Sequence, residues 1–203
     1  MTVFYPEKRG LFLHIPRTGG GWVQYVSKKL SLEDHYVGSR FPKSIYANHR
    51  PPAHYVLDCA RDGLFIDFIW VVVRNPIDYY ESVWGWLHKN PHDTRETIKN
   101  KWSWDAMKRA AELYSPDFNE WVEAMIKDQG GWVTRLFWLY TGPPGGEFVQ
   151  FIGKTETLQE DFISAMRQMG FDKELDSDFI QEARKPHGSG RIRKKISWDA
   201  CLL

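Results

Sequence analysis

The chain has 203 residues, 42% of them hydrophobic and 26% charged, with a formal net charge of +1. That length suits a single domain with a substantial core, and the near-neutral balance argues against a global electrostatic grip on nucleic acid, leaving room only for a local basic pocket. The two cysteines, Cys59 and Cys201, form neither a disulfide framework nor a CxxC pair, which points to a reducing, cytoplasmic setting. The N-terminal MTVFYPEKRG has no apolar leader, and the longest apolar run, Phe68 to Val73, is far short of the roughly 20 residues that span a membrane. Neither a membrane nor a nucleic acid is therefore expected as a partner.

In chain order, Gly10 to Ile15 is a short apolar run closed by Pro16, which predicts a buried strand. HIPRTGGGW, His14 to Trp22, follows, and a helix is predicted from Gly21 to Leu30. Residues 42–52 are broken by prolines and read as loop, and 53–61 as a short helix. Asp67 to Val73, DFIWVVV, is apolar on both faces, which fits the centre of a parallel sheet. Pro76 suits the first turn of a helix to about His88, with Tyr79, Tyr80, Val83, Trp84 and Leu87 at helical spacing. A polar loop over 91–101 precedes helices at Ser103 to Leu113, from a Ser115 cap, and at Gly131 to Tyr140. Glu147 to Ile152 predicts a third strand and Leu158 to Met169 a helix stopped by Gly170. The ten Trp, nine Tyr and twelve Phe fall mostly at helical spacing, favouring ring-rich cores over a groove that stacks on sugars or bases. The order of elements argues an α/β fold on a parallel sheet.

Two stretches carry chemistry. A strand that ends in a glycine-rich turn and opens a helix leaves backbone N–H groups converging on one spot, where the helix dipole favours an anion. Arg17 adds a planar, fixed cation and Thr18 a hydroxyl. The turn lacks the GK[ST] ending of a triphosphatase loop. Gly153-Lys154-Thr155 has that ending, but Phe148 stands where the first glycine is needed, so it reads as a chance match, with Lys154 and Glu156 at a strand's carboxyl end. In VVVRNPIDYYESVWGW, Arg74 sits just after the central strand, at its carboxyl end, and Ser82 lies eight residues on, in the next helix. A cation and a hydroxyl so placed can bracket a second phosphate. Taken singly, Arg74 reads as a salt-bridge partner of Asp78, and Ser82 as a small packing residue.

Together these stretches resemble the sulfotransferases that use 3′-phosphoadenosine 5′-phosphosulfate (PAPS), most closely the branch whose loop reads H-I-P-K-T-G-G, which includes carbohydrate O-sulfotransferases. FVQFIGKTETLQEDF, Phe148 to Phe162, is similar to that branch's F-I-G-R-x-E-x-L-x-x-D-F segment, and the likeness spans residues 10 to 165. The resemblance implies one domain over 1–203 with a P-loop-like, three-layer fold, a central parallel sheet flanked by helices. It puts Arg17, Thr18, Gly19, Gly20, Gly21 and Trp22 around the 5′-phosphosulfate, and Arg74 and Ser82 on the 3′-phosphate. It implies transfer of a sulfuryl group to an acceptor hydroxyl on a carbohydrate or small molecule, releasing 3′-phosphoadenosine 5′-phosphate (PAP). His49, in YANHRPPAHYV, resembles the family's general base, with His54 the runner-up; His14 is expected to pack in the strand. Arg17 would stabilise charge on the bridging oxygen, and the basic segment 185–203 would close over the 3′-phosphate. No metal-ligand spacing is present, so no metal is expected.

The chain departs from that branch where its loop continues Thr-Ser, here Gly21-Trp22, and in having Arg17 for lysine. Two other readings compete: an atypical small-molecule nucleotide kinase, and a PAP- or PAPS-binding protein without transfer activity.

Overall fold

The computed structural model describes residues 2–32, 60, 63–89, 105–142, 148–172 and 175. The loops expected over 42–52 and 91–101, the basic segment 185–203, and His49 and His54 lie outside these residues; of the helix expected over 53–61 only Ala60 is described, and it is helical. The chain groups into two compact units, Met1–Asn75 with Leu136–Pro186, and Pro76–Arg135 with His187–Leu203.

Among the described residues the first unit holds a four-stranded open sheet in the order β1 (Val3–Tyr5), β2 (Gly10–Leu13), β3 (Phe68–Val73), β4 (Phe151–Lys154). β2, β3 and β4 are parallel neighbours, as expected of the β-branched FIWVVV run, whose four central residues are buried. β1 was not predicted. Three residues show no periodicity, and β1 pairs antiparallel with β2 through a tight 3₁₀ turn at Pro6–Lys8. β4 starts later than the predicted Glu147 to Ile152: the Gln150 amide donates to the Ile69 carbonyl at 2.9 Å, but the Ile69 amide is met by the Gln150 side chain, at 2.6 Å, rather than by a backbone carbonyl.

Helix α1 (Gly20–Lys29) buries Trp22, Val23 and Val26, and its last turn carries Lys28 and Lys29, which complement the helix dipole. These buried side chains meet Phe12, Trp70 and Val72 on one face of the sheet. The helix over Leu158–Gln168 (α6 below) adds Leu158, Phe162, Ala165 and Met166 at helical spacing to the same core. Phe162 stands edge-on to Trp22 at 5.5 Å and to Trp70 at 6.0 Å. Gly170, at φ 84, follows that helix as its sequence predicts.

The second unit holds α2 (Pro76–Lys89), α3 (Asp105–Glu112) and α4 (Phe118–Gln129); α5 (Trp132–Thr141) begins in it, and α6 (Leu158–Gln168) belongs to the first. Its aromatics form a core: Tyr79 with Trp132, Tyr80 with Trp121, and Trp84 with Phe118, with centroids 5.6–5.9 Å apart. The indole N–H groups of Trp84 and Trp121 donate to the Ser115 and Ala110 carbonyls, each at 2.9 Å. α4 starts later than the predicted Ser115 cap. Asp117 is the cap, accepting from the Asn119 and Glu120 amides, while Ser115 accepts from the Asp117 amide. Arg109 grips Asp128 through two 2.8 Å hydrogen bonds, which raise the guanidinium's pKa and hold the Asp128 carboxyl below its ordinary value.

Candidate functional site

The glycine-rich turn runs from the end of β2 into α1. Arg17, at φ 68, and Gly19, at φ 93, both take the left-handed conformation, on either side of Thr18. For arginine that conformation costs roughly 1–3 kcal/mol, so the surrounding contacts must impose it. Gly19 precedes α1, and its carbonyl accepts from the Trp22 and Val23 amides at 2.9 and 3.3 Å. The amides of Gly20 and Gly21, in the first turn, have no intrahelical carbonyl to reach.

Two of the three glycines answer to close neighbours. A Cβ on Gly19 would come within 2.6 Å of Leu158 Cδ2, and one on Gly20 would overlap the His14 imidazole. A Cβ on Gly21 would meet nothing within 4 Å among the described residues. His14 lies just past β2, half-buried, its ring stacked 6.4 Å from Phe12 and resting on the start of α1. Its ring packs there as expected, although the strand ends at Leu13, two residues short of the predicted Ile15.

The loop carbonyls are held from outside the turn. Arg74 Nη1 donates to the Arg17 carbonyl at 3.1 Å, and the Thr155 hydroxyl lies 3.0 Å from the Thr18 carbonyl. In a trans peptide the carbonyl and the following amide point in opposite directions. Anchoring these two carbonyls therefore aims the Thr18 and Gly19 amides the other way, as an anion nest requires. Arg74 has a second feature. Its Nε is buried and has no hydrogen-bond partner among the described residues. A buried N–H on a cation costs several kcal/mol when unmet, and an oxyanion satisfies it.

Other expected contacts fall differently. The Thr18 side chain is fully buried and donates to the Ile15 carbonyl at 2.8 Å, so its proton fastens the turn. The Trp22 ring is fully buried in the core, edge-on to Phe162, its amide bonds to Gly19, and its indole N–H has no hydrogen-bond partner among the described residues. Ser82 is buried on α2, within the second unit. His49, the expected base, lies outside the described residues.

The GKT triplet is not a phosphate loop. Gly153 and Lys154 are the last residues of β4, and the Lys154 amide is taken by the Asp161 carboxylate at 2.7 Å. Glu156 stands at the strand's carboxyl end as expected, accepting from the Asn75 amide at 2.9 Å. Sequence reasoning missed Thr155. Its signal was position: a hydroxyl directly after a parallel strand whose neighbour, β3, is followed directly by Arg74.

Among the described residues no group of His, Cys, Asp and Glu is arranged to hold a metal ion, and no helix is long and apolar enough to cross a membrane. Comparison with known proteins finds no matching family model, no similar curated protein and no similar solved structure.

Proposed function

We propose that this protein binds PAPS and transfers its sulfuryl group to an acceptor hydroxyl, on a carbohydrate or another small molecule, using a P-loop-like α/β fold. The observation that carries the reading is Arg74. Its guanidinium sits at the carboxyl end of the central parallel strand, one nitrogen fixed on the glycine-rich turn and its buried Nε unmet among the described residues. A donor with two separate anionic groups fits such an arrangement, the 5′-phosphosulfate on the amide side of the turn and the 3′-phosphate on Arg74. A nucleoside triphosphate site would instead need the lysine and magnesium hydroxyl of GK[ST], and Gly153-Lys154 are occupied in the sheet.

In this reaction the acceptor oxygen attacks sulfur in line, the bond from sulfur to the bridging phosphate oxygen breaks, and PAP leaves. Arg17 would meet the charge that builds on that bridging oxygen. His49 would take the acceptor proton, and Ser82 would join Arg74 on the 3′-phosphate, as the sequence resemblance implies.

Thermal shift with PAP, ATP and AMP tests the donor, and a panel of hydroxylated sugars with PAPS tests transfer. PAP should stabilise the protein well above either other nucleotide. Equal stabilisation by ATP would remove the 3′-phosphate pocket, and magnesium-dependent ATP turnover would favour the kinase. One observation favours a second reading, a PAP binder without transfer: Gly21 has no side chain, and the Trp22 ring is in the core. That reading expects PAP binding, no sulfate transfer, and binding unchanged in His49→Ala.

A further inference from the structure

We infer that Thr155 is a positioning residue that fixes the spacing between the two anion pockets, an inference that rests on the two-anion reading above. The Thr155 hydroxyl lies 3.0 Å from the Thr18 carbonyl and 3.0 Å from the Val73 carbonyl. The first belongs to the glycine-rich turn. The second belongs to the peptide whose nitrogen is that of Arg74. One proton is thus shared between the backbones of the two pockets.

The hydroxyl is well held. Thr155 opens a 3₁₀ turn, Thr155–Thr157, directly after β4, and β4 is locked in register with β3 by the Val73–Lys154 pair. The turn is braced on one side by Glu156 on the Asn75 amide at 2.9 Å. On the other, Asp161 accepts from the Lys154 amide at 2.7 Å and from the Thr157 hydroxyl at 2.6 Å. A β-branched side chain on such a frame has little rotamer freedom. Leu158, three residues on, is the side chain that fills the space beside Gly19, so the same segment seats the turn by contact and by hydrogen bond.

A ligand that spans both pockets reads their spacing, whereas a ligand with one phosphate does not. Thr155→Val keeps the shape and removes the shared proton; Thr155→Ser keeps the proton. By calorimetry, T155V should lose about tenfold in PAP affinity, the worth of one hydrogen bond, and only about threefold or less for adenosine 5′-monophosphate, with T155S near wild type for both. Thr155→Ala, which adds no methyl contact, carries the same comparison where T155V does not fold. Equal losses for the two nucleotides would make Thr155 merely structural and overturn the inference. Unchanged PAP binding in T155V would overturn it while the two-anion site stands. A wild-type protein that does not bind PAP would overturn both.

Discussion

The Arg74 guanidinium donates to the carbonyl of Arg17 at 3.1 Å, so the cation of one proposed anion pocket braces the backbone of the other proposed pocket. A lysine at position 74 would keep the charge but lack the planar fork that reaches the carbonyl and presents Nε. Arg74→Lys should therefore bind PAP about as poorly as Arg74→Ala, each more than about tenfold below wild type, since charge-assisted hydrogen bonds are lost in both. Calorimetry at fixed ionic strength checks this. Wild-type affinity in R74K would mean that Arg74 acts as a point charge alone.

Arg17 adopts φ 68, a conformation that glycine takes freely and arginine does not. The contacts around the turn must therefore impose that conformation. In Arg17→Gly the relieved strain of about 1 kcal/mol offsets the added freedom of the unfolded chain, so the change in melting temperature reads what the contacts of the Arg17 side chain add. The same variant should lose PAP binding and sulfate transfer. A melting temperature well below wild type would show that the Arg17 side chain holds the turn.

Much of this was legible in the sequence, for physical reasons that differ by element. β3 could be read because β-branched residues buried on both faces leave an unbroken apolar run, and α1 and α6 because their buried residues repeat at helical spacing. β1 could not, because three residues carry no period. The start of α4 was misread because Ser115 and Asp117 both suit a cap, and only the chain's path decides which accepts from the helix amides. At the proposed site, glycines and arginines are what point to an anion, by chemical type. Thr18, Trp22 and Thr155 could not be sorted that way. A hydroxyl can face a ligand or a carbonyl, and which it does depends on a neighbouring strand far away in sequence.

Gly19 has two independent reasons to be glycine, φ 93 and the 2.6 Å that would separate Leu158 Cδ2 from an added methyl carbon. Gly19→Ala should cost about 2–4 kcal/mol, combining left-handed strain with overpacking. Urea unfolding measures it. The double variant Gly19→Ala with Leu158→Ala should recover no more than the overpacking part, because the backbone strain remains. Full recovery would show that φ at position 19 is free to change.

Arg109 holds the Asp128 carboxyl below its ordinary pKa, so the charged form is favoured in the folded state. Its contribution is present above the unfolded carboxylate value, about 3.9, and is lost as pH falls through the lower folded value. Both groups are exposed, and salt screens them. Asp128→Asn should lower the urea midpoint slightly at pH 7, less at pH 3, and less again in high salt. A difference from wild type that grew on acidification would reverse the assigned sign.

Gly21 and Trp22 stand where the resembling loops carry two hydroxyls, and the two positions differ in what they allow. The Trp22 ring is fully buried and edge-on to Phe162 at 5.5 Å, so Trp22→Ser should cost about 3–5 kcal/mol through the cavity it leaves. Gly21 is exposed, and a Cβ there meets nothing within 4 Å among the described residues. Gly21→Ser should therefore fold, and gain about 0.5 kcal/mol from replacing a helical glycine. Its hydroxyl would stand in the first turn of α1, beside the amides that have no helical acceptor, where it can donate to an anion. PAP should bind G21S up to about tenfold more tightly than wild type, one added hydrogen bond's worth. If transfer rises with binding, the missing hydroxyl limits the reaction; if binding rises and transfer stays absent, the protein is a PAP binder. If neither changes in a folded G21S, the first turn of α1 does not face the 5′-phosphosulfate.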